Sequence, residues 1–401
     1  MRSGFSAVAA ALLTAGVLPV LAATGDAPGV TGSEIKIGQT NPYSGPLSAL
    51  GSNGVADVAY IRWLDDHGGV NGRHLTLLSR DDSYSPPRTV EETRRLVEQD
   101  GVAIIFRSMG TASNVAIARY LNDRKIPQLF TAGGASDWNE PQRRPWSLGS
   151  TLSYQVEAAI YAHYALSAKP AAQMAVLYQD DDLGRDYLAG LQRALGPAGR
   201  SHIVAQASFE VTDPTIDSQI VTLQASGADV LFSFGTVRFT SQAIRKVYDL
   251  GWKPLMFVPA IANSVGTVLR PAGLEKSVGL VTATYVKDPS DPQWHDDPAV
   301  RDWESWMDKY VPHGDKADVS YVYGAIWGSV LAHVLTQCGD DLSRGSIMQQ
   351  ATHLTGVSAP LLLPGITVNT SPADYRVLKQ ARLERFDGRK WVLFSDILSA
   401  D

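Results

Sequence analysis

The sequence predicts an α/β protein of two similar lobes, each built on a parallel sheet covered by helices, with a cleft between them. Three observations lead there. First, residues 85–130 return in pattern as residues 212–257. Both stretches run proline, helix, glycine (Gly101, Gly227), apolar strand (103–106, 230–234), a Gly-Thr pair (Gly110-Thr111, Gly235-Thr236), helix, proline (Pro127, Pro254) and strand. The copies keep an offset of about 125 to 127 residues, as a duplicated supersecondary unit does. Second, the strands are short, apolar and alternate with helices, which implies parallel sheets buried on both faces. Third, the Gly-Thr pairs sit at strand-to-helix turns, where open parallel sheets collect ligands against helix N-termini. Either pair alone reads as an ordinary capped turn; the same pair at matching places points to opposite walls of one cleft.

Taken in order, residues 34–40 alternate as a first strand and run into a Pro-, Ser- and Gly-containing loop. A helix over 55–66 carries the apolar positions Ala59, Ile61, Trp63 and Leu64. A glycine-rich turn leads to a strand over 74–80 and then to the first copy. After Phe130 the loop TAGGASDW is either a ligand-facing backbone or a flexible turn. A strand over 146–149 and a helix from Ser153 carry the chain into the second lobe. There a buried strand (174–178), a helix ending near Leu195, a strand (202–209) and the second copy follow. A strand over 278–286 leads back to the first lobe. Helices over 299–310, 319–337 and 345–354 come next, and strands 382–386 and 391–394 close on the Asp387-Gly388 turn as a hairpin. Several crossings between lobes allow a hinge.

The 401 residues suffice for two or three domains with substantial cores. A formal net charge of −6 without a basic cluster gives no reason to expect nucleic acid or an anionic membrane surface as partner. Residues 1–22 have one Arg, an apolar run and a small-residue end, the layout of a signal peptide cleaved after Ala22. Gly16 and Pro19 count against a retained anchor. The single cysteine, Cys338, lies far from that run, so neither an N-terminal lipid-modified cysteine nor an internal disulfide is possible. The expected location is the periplasm.

Catalytic and metal motifs are missing. The nearest approach to a nucleophile elbow, Gly134 to Trp138, lacks its last glycine. No phosphate-binding loop and no H-E-x-x-H occurs, and the eight histidines form no i, i+4 pair. Asp180, Asp181 and Asp182 lack the spacing of a calcium loop and read as a solvated loop with Asp182 near a helix N-terminus. Trp303, Trp306 and Tyr310 fit the buried stripe of one helix. No catalytic residue, metal or cofactor is expected.

The opening IKIGQTNPYSGPLSALG, the phrase GGVNGRHLTLLSRDD, the two strand-loop-helix copies and the late LLLPGITVNTSPADY together resemble the periplasmic binding proteins of the leucine/isoleucine/valine-binding family, which serve ABC importers. The likeness covers residues 33–394. It implies the periplasmic binding protein type I fold, with two Rossmann-like lobes, a hinge and a central ligand cleft. Lobe one would comprise 34–149 plus 286–364, and lobe two 150–285 plus 365–401. In that family a ligand carboxylate meets a Ser or Thr hydroxyl and backbone N–H groups of the first lobe, and an amino-acid ammonium meets a Glu of the second. By motif position the carboxylate wall falls on Thr111 with Gly110 and Met109, and on Gly133, Ala135 and Ser136. The family's aromatic wall falls on Leu50, Leu183 and Thr236, and its glutamate on Ala260. Arg238 is either a contact for a second polar end or a surface residue at a helix start.

An ammonium buried without a charged partner costs several kcal/mol, whereas a carboxylate at helix N-termini gains roughly 0.3 to 2 kcal/mol per contact. The resemblance, with Ala260 in place of the glutamate, therefore implies a solute receptor for a carboxylate with an apolar or aromatic body. An α-amino acid fits less well. The expected partners are the small-molecule ligand and permease subunits, the chain being a monomer. Rival readings are a ligand sensor feeding a signalling receptor, a branched-chain amino acid or amide binder, and an enzyme on the same scaffold.

Overall fold

Two parallel sheets form where the apolar strand runs recur, and a computed structural model describes them over residues 28–399. The expected signal peptide lies outside the described residues. In the first sheet β1 (Glu34–Asn41) pairs with β2 (His74–Asp81) along its whole length and with β3 (Ile104–Phe106) on its other side. β4 (Gln128–Thr131) and β5 (Ser147–Gly149) complete the order β2-β1-β3-β4-β5. The second sheet repeats it. β6 (Met174–Gln179), β7 (Ile203–Phe209), β8 (Val230–Phe234), β9 (Leu255–Phe257) and β10 (Val281–Thr284) lie in the order β7-β6-β8-β9-β10. The hairpin β11 (Gln380–Phe386) and β12 (Trp391–Leu393) adds antiparallel to β10, and β13 (Leu398–Ser399) pairs with β11. The duplication read from about 45 residues thus extends to five strands, and each sheet has a switch point between its first and third strands.

Every residue of β3, β4 and β8 is buried, as strands covered on both faces require. The covering helices are α1 (Ser52–Asp66), α2 (Pro86–Glu98) and α3 (Thr111–Asp123) near the first sheet. Those of the second are α4 (Tyr154–Ala168), α5 (Asp182–Gly199), α6 (Asp217–Ala225), α7 (Val237–Asp249) and the short α8 (Arg270–Ala272). The chain then adds α9 (Pro298–Tyr310), α10 (Ser320–Gln337) and α11 (Arg344–Ala351). α10 joins the first unit by close approach to α1. A Cβ at Gly324 would stand 2.5 Å from Ala56 Cβ, and one at Gly328 would stand 2.2 Å from Tyr60 Cδ1. Trp303 and Trp306 are buried in α9, while Tyr310 is half-buried.

Several boundaries differ from expectation. α1 starts three residues earlier, at Ser52, because the 3-10 turn Ser48–Gly51 leads straight into it. α5 runs past Leu195 to Gly199 across a kink at Gly196, whose φ is 64°. β10 is confined to Val281–Thr284, and α11 ends at Ala351. A helical stretch, Val265–Leu269 running into α8, was not expected from the sequence. The acidic row is not a solvated loop as a whole. Asp181 is the cap of α5, accepting from the N–H groups of Leu183 at 3.0 Å and Gly184 at 3.4 Å, while Asp182 begins the helix.

Candidate functional site

Segments beyond the carboxyl ends of the strands of both sheets meet around one cavity of about 50 Å³, room for a few water molecules. The first sheet contributes Leu50 after β1 and Arg107, Met109, Gly110 and Thr111 after β3. The second contributes Leu183 after β6, Thr236 and Val237 after β8, and Ile261 after β9. The start of α10 adds Asp318, Ser320 and Tyr323. Leu47, Leu50, Tyr84, Met109 and Ala132 join one continuous apolar cluster with residues of the second unit, so the two units touch around the cavity.

Two helices begin at this cavity with backbone donors in hand. The first helical bond of α3 runs from Asn114 N–H to Gly110 C=O, leaving the N–H groups of residues 111–113 ahead of it. In α7 the corresponding bond is Thr240 N–H to Thr236 C=O, leaving those of residues 237–239. Neither helix has a side-chain cap. Thr111 Oγ1 instead shares a hydrogen bond of 3.1 Å with the Tyr154 hydroxyl, and Thr236 Oγ1 donates to Gln179 at 3.0 Å. The positive ends of two helix dipoles, one from each unit, therefore reach one enclosed space. Gly110 makes this geometry possible: its φ is 101°, and a Cβ would meet Tyr84 Cε2 at 2.7 Å.

Of the eleven residues expected at the site, Leu50, Met109, Gly110, Thr111, Leu183 and Thr236 line the cavity. The other five lie off the lining. Gly133 stands behind Thr111, where a Cβ would come within 2.8 Å of its Oγ1. Ala135 packs with Ala118 and Trp138. Ser136 commits its N–H and hydroxyl to Asp186 of α5, at 2.8 and 2.7 Å. Arg238 donates to the carbonyls of Asp213 and Pro214 and stacks over Phe239. Ala260 donates its N–H to Glu157 at 2.8 Å.

The cavity also holds residues that the motifs did not indicate. Arg107, whose side chain is only 2 % exposed, donates through Nε to Asp57 Oδ1 at 2.9 Å, and Gln39 holds Asp57 Oδ2 at 2.6 Å. Burial pushes the Asp57 carboxyl up, opposed by Arg107 and Gln39. A charged residue placed directly after the apolar run 103–106 was the available signal, since a cation at a strand end in a covered sheet needs a partner. Aromatic surface comes from Tyr84, Tyr154 and Tyr323, not from the family positions at Leu50, Leu183 and Thr236. Tyr154 is held by stacking on Tyr187 with centroids 4.3 Å apart, and Tyr187 stacks on Phe234 at 4.7 Å.

Behind the lining, Glu157 is fully buried and accepts from Tyr161 (2.6 Å), Tyr187 (2.9 Å) and the Ala260 N–H. Burial pushes its carboxyl up to about 7 against those three hydrogen bonds. Among the described residues no group of three or more His, Cys, Asp or Glu is placed to hold a metal ion, and no helix is long and apolar enough to cross a membrane.

Comparison with known proteins agrees with this architecture. The periplasmic binding protein family profile matches residues 34–388. The Leu/Ile/Val-binding protein homolog 7 of Brucella abortus (strain 2308) is 24% identical over 298 residues, covering 72% of this chain and 70% of that protein. A branched chain amino acid ABC transporter from Thermus thermophilus with bound valine superposes with a TM-score of 0.82 at 16% identity, covering 92% of this chain and 97% of that one. The fatty acid ABC transporter substrate-binding protein from Thermomonospora curvata gives a TM-score of 0.75 at 18% identity, covering 94% and 95%.

Proposed function

The chain belongs to the periplasmic binding protein family, and from that premise we propose that it is the periplasmic solute receptor of an ABC importer. It binds a small carboxylate-bearing ligand, closes around it and presents the closed form to the permease. The observation that carries this reading is the convergence of two uncapped helix N-termini, one from each sheet, on a single cavity beside Thr111 and Thr236. Backbone donors of this kind suit an anionic head group. The apolar and aromatic part of the lining, Leu50, Met109, Leu183 and Val237 with three tyrosines, suits an apolar or aromatic body.

An α-amino acid is disfavoured because the position of the family's glutamate is Ala260, whose backbone is tied to Glu157 away from the lining. A fatty acid, named for the Thermomonospora curvata relative, is itself a carboxylate without an ammonium. We assign lobe one to 34–149 plus 286–364 and lobe two to 150–285 plus 365–401, with the crossings near 150, 286 and 364 as the hinge. About 50 Å³ of space means that a ring-sized body enters only as the lobes part. Binding supplies the free energy that favours the closed arrangement, and no covalent step is involved.

Mass spectrometry of molecules released from freshly purified protein, followed by thermal-shift screening of aromatic and aliphatic acids against leucine and valine, tests the reading. An unmodified carboxylate is expected. Strong stabilisation by leucine or valine and none by the acids overturns it. Thr111→Val should weaken binding of the acid about tenfold or more, the usual loss of a hydrogen bond to a charged group, and should lower the thermal unfolding midpoint modestly because the buried Tyr154 hydroxyl loses its Thr111 partner.

A further inference from the structure

We propose that a second enclosed cavity, beside the cleft where the chain leaves β10, holds one calcium ion. The cavity has about 20 Å³, the room of a single water molecule or a bare cation. Its oxygen-bearing side chains are Asn263, Ser264, Thr284, Asp288 and Glu384. Ser264 and Val319 line both this cavity and the ligand cavity, so the two are neighbours. Sequence spacing hides the group: Asn263 and Glu384 meet across 121 positions of chain, and only two of the five residues are acidic.

The charges around it do not balance. Glu384 is only 5 % exposed, yet among the described residues it joins no ion pair and accepts one hydrogen bond, from Asn263 Nδ2 to Oε1 at 3.2 Å. Asp288 accepts from the N–H and the hydroxyl of Ser290, both on Oδ1, at 2.8 and 2.7 Å. The neighbouring cations are engaged elsewhere: Lys390 with Asp291 at 2.7 Å, Lys287 with Asp297 at 2.6 Å, and Arg382 with the Ser395 carbonyl at 2.7 Å. Burial pushes the Glu384 carboxyl well above its usual range, and Asp288 and Asp291 add repulsion. A carboxylate so placed is costly unless a positive charge joins it. A neutral group points the same way. Asn263 is 5 % exposed, and its Oδ1, in the same planar amide as the Nδ2 that meets Glu384, is buried without a donor. Glu384 Oε2, Asp288 Oδ2 and Asn263 Oδ1 are thus three acceptors on residues of one small cavity that have no donor among the described residues. A proton on Glu384 supplies one donor, whereas a cation meets all three. The hydroxyls of Thr284 and Ser264 give their protons to the carbonyls of Val286 and Ala317, each at 3.2 Å, and keep lone pairs. Five oxygen-bearing residues, with one carboxylate bidentate, reach the lower end of calcium's six to eight oxygen ligands, and two carboxylates match its charge.

The test is the response of the protein to calcium. Protein stripped with EGTA and returned to about 10 mM calcium chloride near neutral pH should unfold about 3 °C higher, and equilibrium dialysis should count one ion per chain. Glu384→Gln, which keeps the shape and removes the charge, should lose most of that shift and bind calcium at least about tenfold more weakly. Asp288→Asn, at a half-buried position, should weaken calcium binding by a similar factor, and with the wild-type ion count it decides the matter even if Glu384→Gln does not fold. No shift with calcium, or a shift that both variants keep in full because exposed acids bind the ion, overturns the proposal. So does a wild type that gains stability on mild acidification and ignores calcium, since Glu384 then holds a proton where the ion was placed.

Discussion

Replacing Glu157 by glutamine should change how stability depends on pH. Glu157 is 1 % exposed, and its carboxyl sits at about 7 in the folded protein against 4.5 for the free side chain. A raised folded value means that the native state binds the proton more tightly than the unfolded chain. The stabilising contribution is then complete below about pH 4.5 and is lost as pH rises through 7. The shift corresponds to about 3 kcal/mol. The glutamine side chain of the variant cannot ionise but can still accept from Ala260 and from one tyrosine hydroxyl. Wild type should therefore lose about 3 kcal/mol relative to Glu157→Gln between pH 4 and pH 8, measured as the difference in urea-unfolding free energy. A stability difference between the two proteins that does not vary with pH would refute the reasoning.

Asp57→Asn leaves the Arg107 guanidinium buried with its counter-charge removed and should cost about 3 to 5 kcal/mol in chemical denaturation; a loss under about 1 kcal/mol would mean that water or a ligand anion takes over. Gly110→Ala demands a left-handed conformation at φ 101° and brings a methyl against Tyr84, so the midpoint of thermal unfolding should drop and affinity for any cleft ligand should fall together. Asp186→Ala removes the acceptor shared by Ser136 and Gln155 between the first-sheet loop and α5. The two units should then part more readily, giving a larger radius of gyration without ligand by solution scattering, and an unchanged profile would count against that bridge.

Local pattern made most of this fold legible. Period-two strands, prolines at helix starts such as Pro86, and glycines closing helices are set by neighbours in sequence, so the β3-α3-β4 and β8-α7-β9 units could be read directly and their duplication placed Thr111 and Thr236 at equivalent turns. The crossing order of five strands in each sheet came only with the fold. What tertiary structure alone decided is the composition of the cavity wall. Asn53 meets Ser320 across 267 positions of chain, and Ala260 meets Glu157 across 103; no periodicity or motif spacing records such a meeting. It also decided which polar groups are already spent. Ser136 and Arg238 carry the right chemistry for a ligand, but nearby acceptors in the folded chain satisfy them first, whereas Arg107 gained importance because burial removed the water that would otherwise have solvated its charge and left Asp57 as its partner.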